Sequence, residues 1–126
     1  MQGRLQLLWR NKMKPKKNTV LKTCLAKAAE LNSLIDYSSD SVVSKTIIDK
    51  SVGTLTLFAF DAGQGLSEHQ APYDATVLIV DGTAVLKIGG KKVKAKAGEI
   101  VIMPANVPHS VQAKEKFKML LIMMRA

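Results

Sequence analysis

The chain has little cysteine, few aromatic residues and no long apolar run. A single cysteine, Cys24, excludes an internal disulfide and agrees with a reducing compartment. Aromatic residues make up 5% of the 126 residues, and no apolar run approaches the roughly 18 residues that a membrane helix needs. Glycine-rich phosphate loops and CxxC pairs are also absent. We therefore expect a single globular domain in the cytoplasm, with no membrane contact.

Acidic residues are almost missing from the first 30 positions. This stretch holds eight lysines and arginines against Glu30 alone, a net charge of +7, whereas residues 31–126 hold eleven basic and nine acidic residues, a net charge of +2. The basic character therefore belongs to an N-terminal arm and not to the domain. The Lys-Pro-Lys-Lys sequence at 14–17 blocks a continuous helix there, so we expect residues 1–19 to form a flexible basic arm.

The role of this arm is left open by the sequence. It is a solvated tail, an over-extended start with initiation at Met13, or a segment that contacts an acidic partner. Nucleic acid is not the expected partner, because Trp9 is the arm's one stacking aromatic and no helix-turn-helix pattern occurs.

A short N-terminal helix is predicted after the arm. Apolar residues recur at steps of three or four between Val20 and Ile35, as on one face of a helix. They are Leu21, Leu25, Ala28, Leu31 and Ile35. We expect this helix to pack on a single domain spanning residues 20–126, whose barrel proper covers about 40–126.

The remainder of the chain has the pattern of short β-strands. The runs rich in β-branched and apolar residues are 42–48, 54–60, 75–80, 84–88, 91–95, 100–103, 109–113 and 117–124. Asp81-Gly82 and Gly89-Gly90 are predicted as two-residue hairpin turns. Many short strands at close spacing indicate an all-β sandwich or closed barrel.

The last strand is apolar on both faces. Phe117, Met119, Leu121 and Met123 fill one face, and Leu120, Ile122 and Met124 fill the other. Such a strand must be covered on both sides. The N-terminal helix or a second copy of the chain could supply the outer cover, and we expect a homodimer.

Two histidine-containing motifs carry a resemblance to a known family. The first motif consists of Gly63, His69, Ala71, Ala75 and Gly82, and the second of Gly98, Pro104, Asn106, His109 and Ala113. In spacing, both resemble the two motifs of the cupin superfamily, and the chain looks like a small single-domain cupin of the conserved-barrel type. The resemblance implies a jelly-roll β-barrel, also called a double-stranded β-helix. Asn106 replaces a glycine, and asparagine tolerates the left-handed backbone of a turn.

The resemblance also implies where a metal would be held. The family's four ligand positions correspond to His69, Ala71, Ala75 and His109, so only two ligands remain. Two imidazoles would hold zinc, nickel, iron or manganese weakly, because stable sites use three or four side chains. Asp74 is the candidate third donor, with Glu68 as another. Without a metal, the histidines could act as general acid or base or hold an anion.

The expected function is binding of a small molecule in the barrel, centred on His69 and His109, with or without a weakly held metal. Residues that could line the pocket are Tyr73, Met103, Met119 and Phe60, although plain core packing is the favoured role for each of them. A dimeric, non-catalytic sensor or a purely structural cupin is the alternative. Whether the protein is an enzyme stays open, because this fold supports many chemistries.

Overall fold

The computed structural model describes residues 18–125, which form a β-barrel of nine strands. The basic arm predicted for residues 1–19 falls almost wholly outside this range. The strands are β1 (Thr19–Val20), β2 (Val42–Lys50), β3 (Gly53–Phe60), β4 (Gly65–His69), β5 (Ala75–Ile88), β6 (Lys91–Lys96), β7 (Ile100–Met103), β8 (His109–Gln112) and β9 (Phe117–Met124). The all-β prediction is confirmed.

Strand β5 is the common member of two sheets. Its first half lies between β9 and β7 in a sheet with the order β1-β2-β3-β9-β5-β7, and its second half lies between β8 and β6 in a sheet with the order β4-β8-β5-β6. All pairs are antiparallel. The inner faces of the two sheets enclose the main core, which includes Phe58, Leu86 and Leu121.

The hairpin predicted at Asp81-Gly82 is wrong, whereas the one at Gly89-Gly90 is confirmed. Gly82 has a φ of +72° and lies beside a register shift between Ile79 and Asp81, so the chain bends there and continues as β5. The positive φ thus serves a bend from one sheet to the other. Gly89 and Gly90 connect β5 to β6, with Ile88 paired to Lys91.

The predicted N-terminal helix is also wrong. Two short 3-10 turns occur in its place, at Lys22–Cys24 and Leu31–Leu34, and Ala26 between them has a φ of +55°. Neither turn has a side-chain cap at its start. Of the apolar residues on the predicted helix face, Leu21, Leu31 and Ile35 pack on the domain, whereas Leu25 and Ala28 are exposed. Without a continuous helix these residues do not share one face, and tertiary packing decides which of them are buried.

This N-terminal segment covers the outer face of the first sheet. Ile35 is 5% exposed and packs with Leu57, Ala59 and Leu120 in a second apolar cluster outside the barrel. Partly buried residues around it are Leu21, Cys24, Leu31, Leu34, Tyr37, Val43, Ile48, Leu55, Leu78, Val80 and Ile122. The two-sided apolar character of β9 is therefore satisfied in large part within one chain.

Polar contacts fasten the same segment to β9. Lys118 is 6% exposed, and its Nζ donates to the backbone carbonyl oxygen of Asn32 at 2.8 Å and to its Oδ1 at 2.9 Å. The ammonium lies 4.9 Å from the ring centroid of Tyr37, whose hydroxyl donates to Asp81 Oδ2 at 2.5 Å.

Within residues 18–125, no helix has the length and apolar character required to cross a bilayer.

Candidate functional site

One end of the barrel gathers the residues of the two motifs. Two loops, 70–74 and 104–108, connect the second sheet to the first at this end. They are tied together, because the Asn106 amide donates to the Ala71 carbonyl at 2.7 Å and the Ala105 amide donates to Asp74 Oδ1 at 2.8 Å. Asn106 has a φ of +62°, as predicted. We call this region the histidine end.

His69 and His109 lie side by side at the histidine end. They are direct cross-strand partners at the end of β4 and the start of β8. Their ring centroids are 4.5 Å apart and their planes meet at 75°, an edge-to-face arrangement. His109 is 1% exposed and His69 is half-buried. The resemblance of the two motifs implied that these histidines meet.

Backbone carbonyls fix the tautomer of both rings. His69 Nδ1 lies 2.7 Å from the Ser67 carbonyl oxygen, and His109 Nδ1 lies 3.0 Å from that of Val107. A carbonyl only accepts hydrogen bonds, so each Nδ1 carries a proton and donates it. In the neutral ring, Nε2 then holds a lone pair. Each Nε2 is buried.

Burial keeps both imidazoles neutral. Desolvation lowers the pKa of His69 to about 4, against the opposing effect of its bond to Ser67, and the neighbouring His109 lowers it further. Desolvation also lowers the pKa of His109, again opposed by its carbonyl partner. At neutral pH the pair therefore presents two hydrogen-bond acceptors and no charge.

The side chains at this end do not fit a resident metal. At the two other ligand positions, Ala71 is 2% exposed and Ala75 is fully buried, and a methyl group donates nothing to an ion. Among residues 18–125, no three His, Cys, Asp or Glu side chains lie together as metal ligands. Two imidazoles fall short of the three or four protein ligands of a stable site.

The two candidate third donors, Asp74 and Glu68, are both exposed. Asp74 is exposed, and its Oδ1 accepts the Ala105 amide, so this carboxyl holds the two loops together. Glu68 is exposed, whereas its neighbours Ser67 and His69 are half-buried. It lies in the irregular stretch between Leu66 and His69, where the pairing of β4 with β8 shifts register.

The pocket-lining candidates are spread along the barrel axis. Met103 pairs with Ala75 and is buried at the histidine end, and Tyr73 is partly buried against the core from the 70–74 loop. Met119 is buried farther down the barrel. Phe60 stacks on Phe117 with centroids 4.7 Å apart. Phe60 is the last residue of β3. Thr54, near the start of β3, lies level with the histidine end, and the six-residue separation between them corresponds to about 20 Å along the strand.

A polar group on the opposite wall was missed by the sequence reasoning. Thr54 pairs with Met123, Met123 with Ala75, and Ala75 with Met103, which places Thr54 in the row that crosses the histidine end. Asp49 pairs with Thr54 in the same row. The alternation of β3 could have revealed this wall, because threonines occupy inward positions that are otherwise apolar.

Sequence and structure comparisons agree on the class of protein. Residues 56–124 match the family described as Cupin domain, so the chain belongs to the cupin family. No curated protein matches the sequence.

Solved structures with the same fold cover three quarters of the chain or more. A conserved protein of unknown function from Streptococcus pyogenes is 29% identical, covering 88% of this chain and 96% of its own, with a TM-score of 0.80. A cupin superfamily protein from Desulfitobacterium hafniense is 26% identical, covering 88% and 100%, with a TM-score of 0.79. A cupin 2 conserved barrel domain protein from Leptotrichia buccalis is 38% identical over 75% of this chain and 46% of its own, with a TM-score of 0.73.

Proposed function

We propose that this protein binds a small molecule at the histidine end of its barrel without a resident metal. The observation that carries the proposal is the His69–His109 pair, in which both rings are held in the same tautomer by backbone carbonyls. Such a pair is a preformed acceptor site, and preformed polar groups in an apolar surround are typical of ligand pockets. The cupin barrel supplies the surround.

The pair favours ligands that donate hydrogen bonds over ligands that only accept them. Two imidazole lone pairs attract hydroxyl, amine or amide hydrogens and repel carboxylate or carbonyl oxygens. Because both pKa values are lowered, protonation does not remove this preference near neutral pH. A proton on a bound hydroxyl could also pass to one Nε2, so the geometry allows general-base chemistry.

Metal content is the first test of the proposal. Protein purified without an affinity tag is analysed by elemental mass spectrometry, together with His109→Ala. We expect far less than one zinc, nickel, iron or manganese per chain in both proteins. A near-stoichiometric metal in the wild type that is lost in His109→Ala would overturn the metal-free assignment.

Ligand binding is the second test. A fragment collection is screened by ligand-observed NMR against the wild type and the double variant His69→Phe/His109→Phe, which keeps aromatic bulk without ring nitrogens. We expect donor-bearing fragments to bind the wild type and to lose binding in the folded variant. Equal binding to both proteins would contradict a role for the histidines.

We also propose that two copies of the chain associate through the first sheet. Ile100 and Ile102 on β7 are 63% and 61% exposed, and they pair with Leu78 and Thr76 of β5. The sheet face that contains them continues into the apolar cluster beneath the N-terminal segment. An exposed apolar strip of this kind favours burial against a partner, and a second copy is the simplest one.

A further inference from the structure

Three buried polar side chains on β2 and β3 have atoms with no hydrogen-bond partner among residues 18–125. They are Asp49 Oδ1, Thr54 Oγ1 and Thr56 Oγ1. The residues are 8%, 2% and 1% exposed. Buried polar groups in folded proteins are almost always satisfied, because leaving one unpaired costs free energy. Three such groups in one place therefore require an explanation.

The strand register places all three groups on the inner wall of the barrel. Thr54 and Thr56 pair with Met123 and Leu121 of β9, which belong to the main core. Cross-strand partners share a face of the sheet, so both threonine side chains point into the barrel. Asp49 is the direct partner of Thr54 on β2 and shares the same face.

The group lies close together and on the level of the histidines. Side chains of direct partners are about 5 Å apart, and Thr54 and Thr56 are about 7 Å apart along the strand. The row through Thr54 runs to Ala75 and Met103. From there, the two tied loops lead to His69 and His109 on the facing sheet.

We infer that Asp49, Thr54 and Thr56 form a second half of the ligand site and that the ligand is a small neutral polyhydroxylated molecule. This inference rests on the proposed function, because it assigns the ligand class of the same pocket. We call these three residues the hydroxyl wall.

The chemistry of the two walls selects this ligand class. The histidines and the Asp49 carboxylate only accept hydrogen bonds, whereas the threonine hydroxyls both donate and accept. A polyol matches this set, since each of its hydroxyls can donate to an acceptor and accept from a threonine. A dicarboxylate would place its oxygens against Asp49 and two imidazole lone pairs, and a diamine would leave the threonine donors without an acceptor.

The stability of wall variants separates a ligand site from a structural one. Thr→Val keeps the shape of the side chain and removes the hydroxyl. If the hydroxyls of Thr54 and Thr56 form hydrogen bonds only with a bound ligand, Thr54→Val and Thr56→Val should keep or raise the Tm of the ligand-free protein and weaken ligand binding. If the hydroxyls are satisfied within the folded protein, Tm should fall and binding should persist. Thr83→Val is the matched control, because Thr83 pairs with the exposed Lys96 on the outer face of the second sheet, away from both the pocket and the proposed dimer face.

The probes are D-ribose, oxalate and 1,3-diaminopropane, each titrated into the full chain and followed by Tm and by methyl NMR signals of threonine and methionine. We expect D-ribose to raise Tm and to shift the Thr54, Thr56 and Met103 methyl signals, with at least tenfold weaker binding in each wall variant. Thr83→Val should bind like the wild type. Asp49→Asn should weaken D-ribose binding and stay folded.

The outcomes distinguish this inference from the proposed function. D-ribose binding that depends on the histidines but not on the wall variants overturns the hydroxyl wall and leaves the histidine site intact. Tighter binding of oxalate or of the diamine than of D-ribose overturns the ligand class. If none of the three probes binds, the polyhydroxylated ligand class is also overturned. The fragment screen with the His69→Phe/His109→Phe variant then tests the histidine site separately.

Discussion

Each histidine of the pair is oriented by a carbonyl two residues earlier in the chain, at Ser67 for His69 and at Val107 for His109. This short-range device sets the tautomer without help from a distant side chain. The pair is then brought together by the register of β4 and β8. Local backbone geometry determines that Nδ1 carries the proton in each ring, and the register of the sheet determines where each Nε2 lies.

The lowered pKa of His69 predicts a stability change in mild acid. The unfolded chain protonates this ring near pH 6.5, whereas the folded chain resists protonation until about pH 4. The unfolded state therefore binds more protons between these values, and stability falls as pH drops from 6.5 to 4. We expect a loss of roughly 1–2 kcal/mol from this ring, allowing for its partial exposure to solvent.

Denaturant unfolding at several pH values measures this loss, with His69→Gln as the comparison. The variant should show a shallower decline that reflects His109 alone. A His69 ring signal that titrates by NMR at or above pH 6.5 would show that the ring is not desolvated.

Gly82 gives a second prediction at the scale of one residue. Its φ of +72° disfavours any side chain, and an added Cβ would meet the Lys116 carbonyl oxygen. Gly90 has a φ of +83° and open space around it. We expect Gly90→Ala to cost about 1–2 kcal/mol and Gly82→Ala on the order of 3 kcal/mol or more, measured by chemical unfolding. Equal costs would mean that β5 bends elsewhere.

At the scale of elements, the chain replaces an expected helix by an extended segment that lies on a sheet. The segment is anchored by Ile35 in the outer apolar cluster and by the Lys118 contacts to Asn32 and Tyr37. Each contact joins it to β9 or to its neighbours. The N-terminal segment should therefore unfold together with the sheet on which it packs.

This anchoring predicts unequal effects of two similar truncations. Ile35 is 5% exposed, and Ile35→Ala should destabilise the protein by about 2–4 kcal/mol, because a buried cavity is left behind. Leu25 is 55% exposed, and Leu25→Ala should change stability by less than about 0.5 kcal/mol. Thermal and urea unfolding of both variants checks the difference. Similar losses would indicate that Leu25 is buried in solution.

Several elements could be predicted from the sequence because their patterns reflect burial directly. The alternation of β3 and the two-residue turn at Gly89-Gly90 are of this kind. Strand β4 was missed as a strand because Gly65 to His69 contains no β-branched residue. The hydroxyl wall was missed because a threonine in a strand looks ordinary until the register shows which face it occupies.

At the scale of the whole molecule, the resemblance of the two motifs to those of the cupin superfamily implied both the barrel and the meeting of two distant histidines. Spacing is informative here because each motif spans a strand, a loop and a strand of fixed geometry. It could not identify the chemistry, since Ala71 and Ala75 remove two ligand positions and the opposite wall lies outside both motifs. The chemistry of the site therefore depends on residues that only the fold brings together.

The exposed β7 face predicts self-association. We expect a dimer by sedimentation velocity at micromolar concentration, and a monomer with unchanged Tm for Ile100→Lys/Ile102→Lys, because buried lysines would lack partners. Lys94→Glu, an exposed change on the other sheet, should leave the dimer intact. A wild-type monomer at about 100 µM would contradict the proposed interface.

Strand β5 is hydrogen-bonded to four other strands, two in each sheet. Neither sheet can melt completely without removing β5, an internal strand, from the other, so no half-unfolded species retains a complete sheet. Unfolding should thus be one cooperative step with the same midpoint for any spectroscopic probe. The amides of β5 should be the last to exchange with deuterated solvent, making this one strand the measure of the protein's global stability.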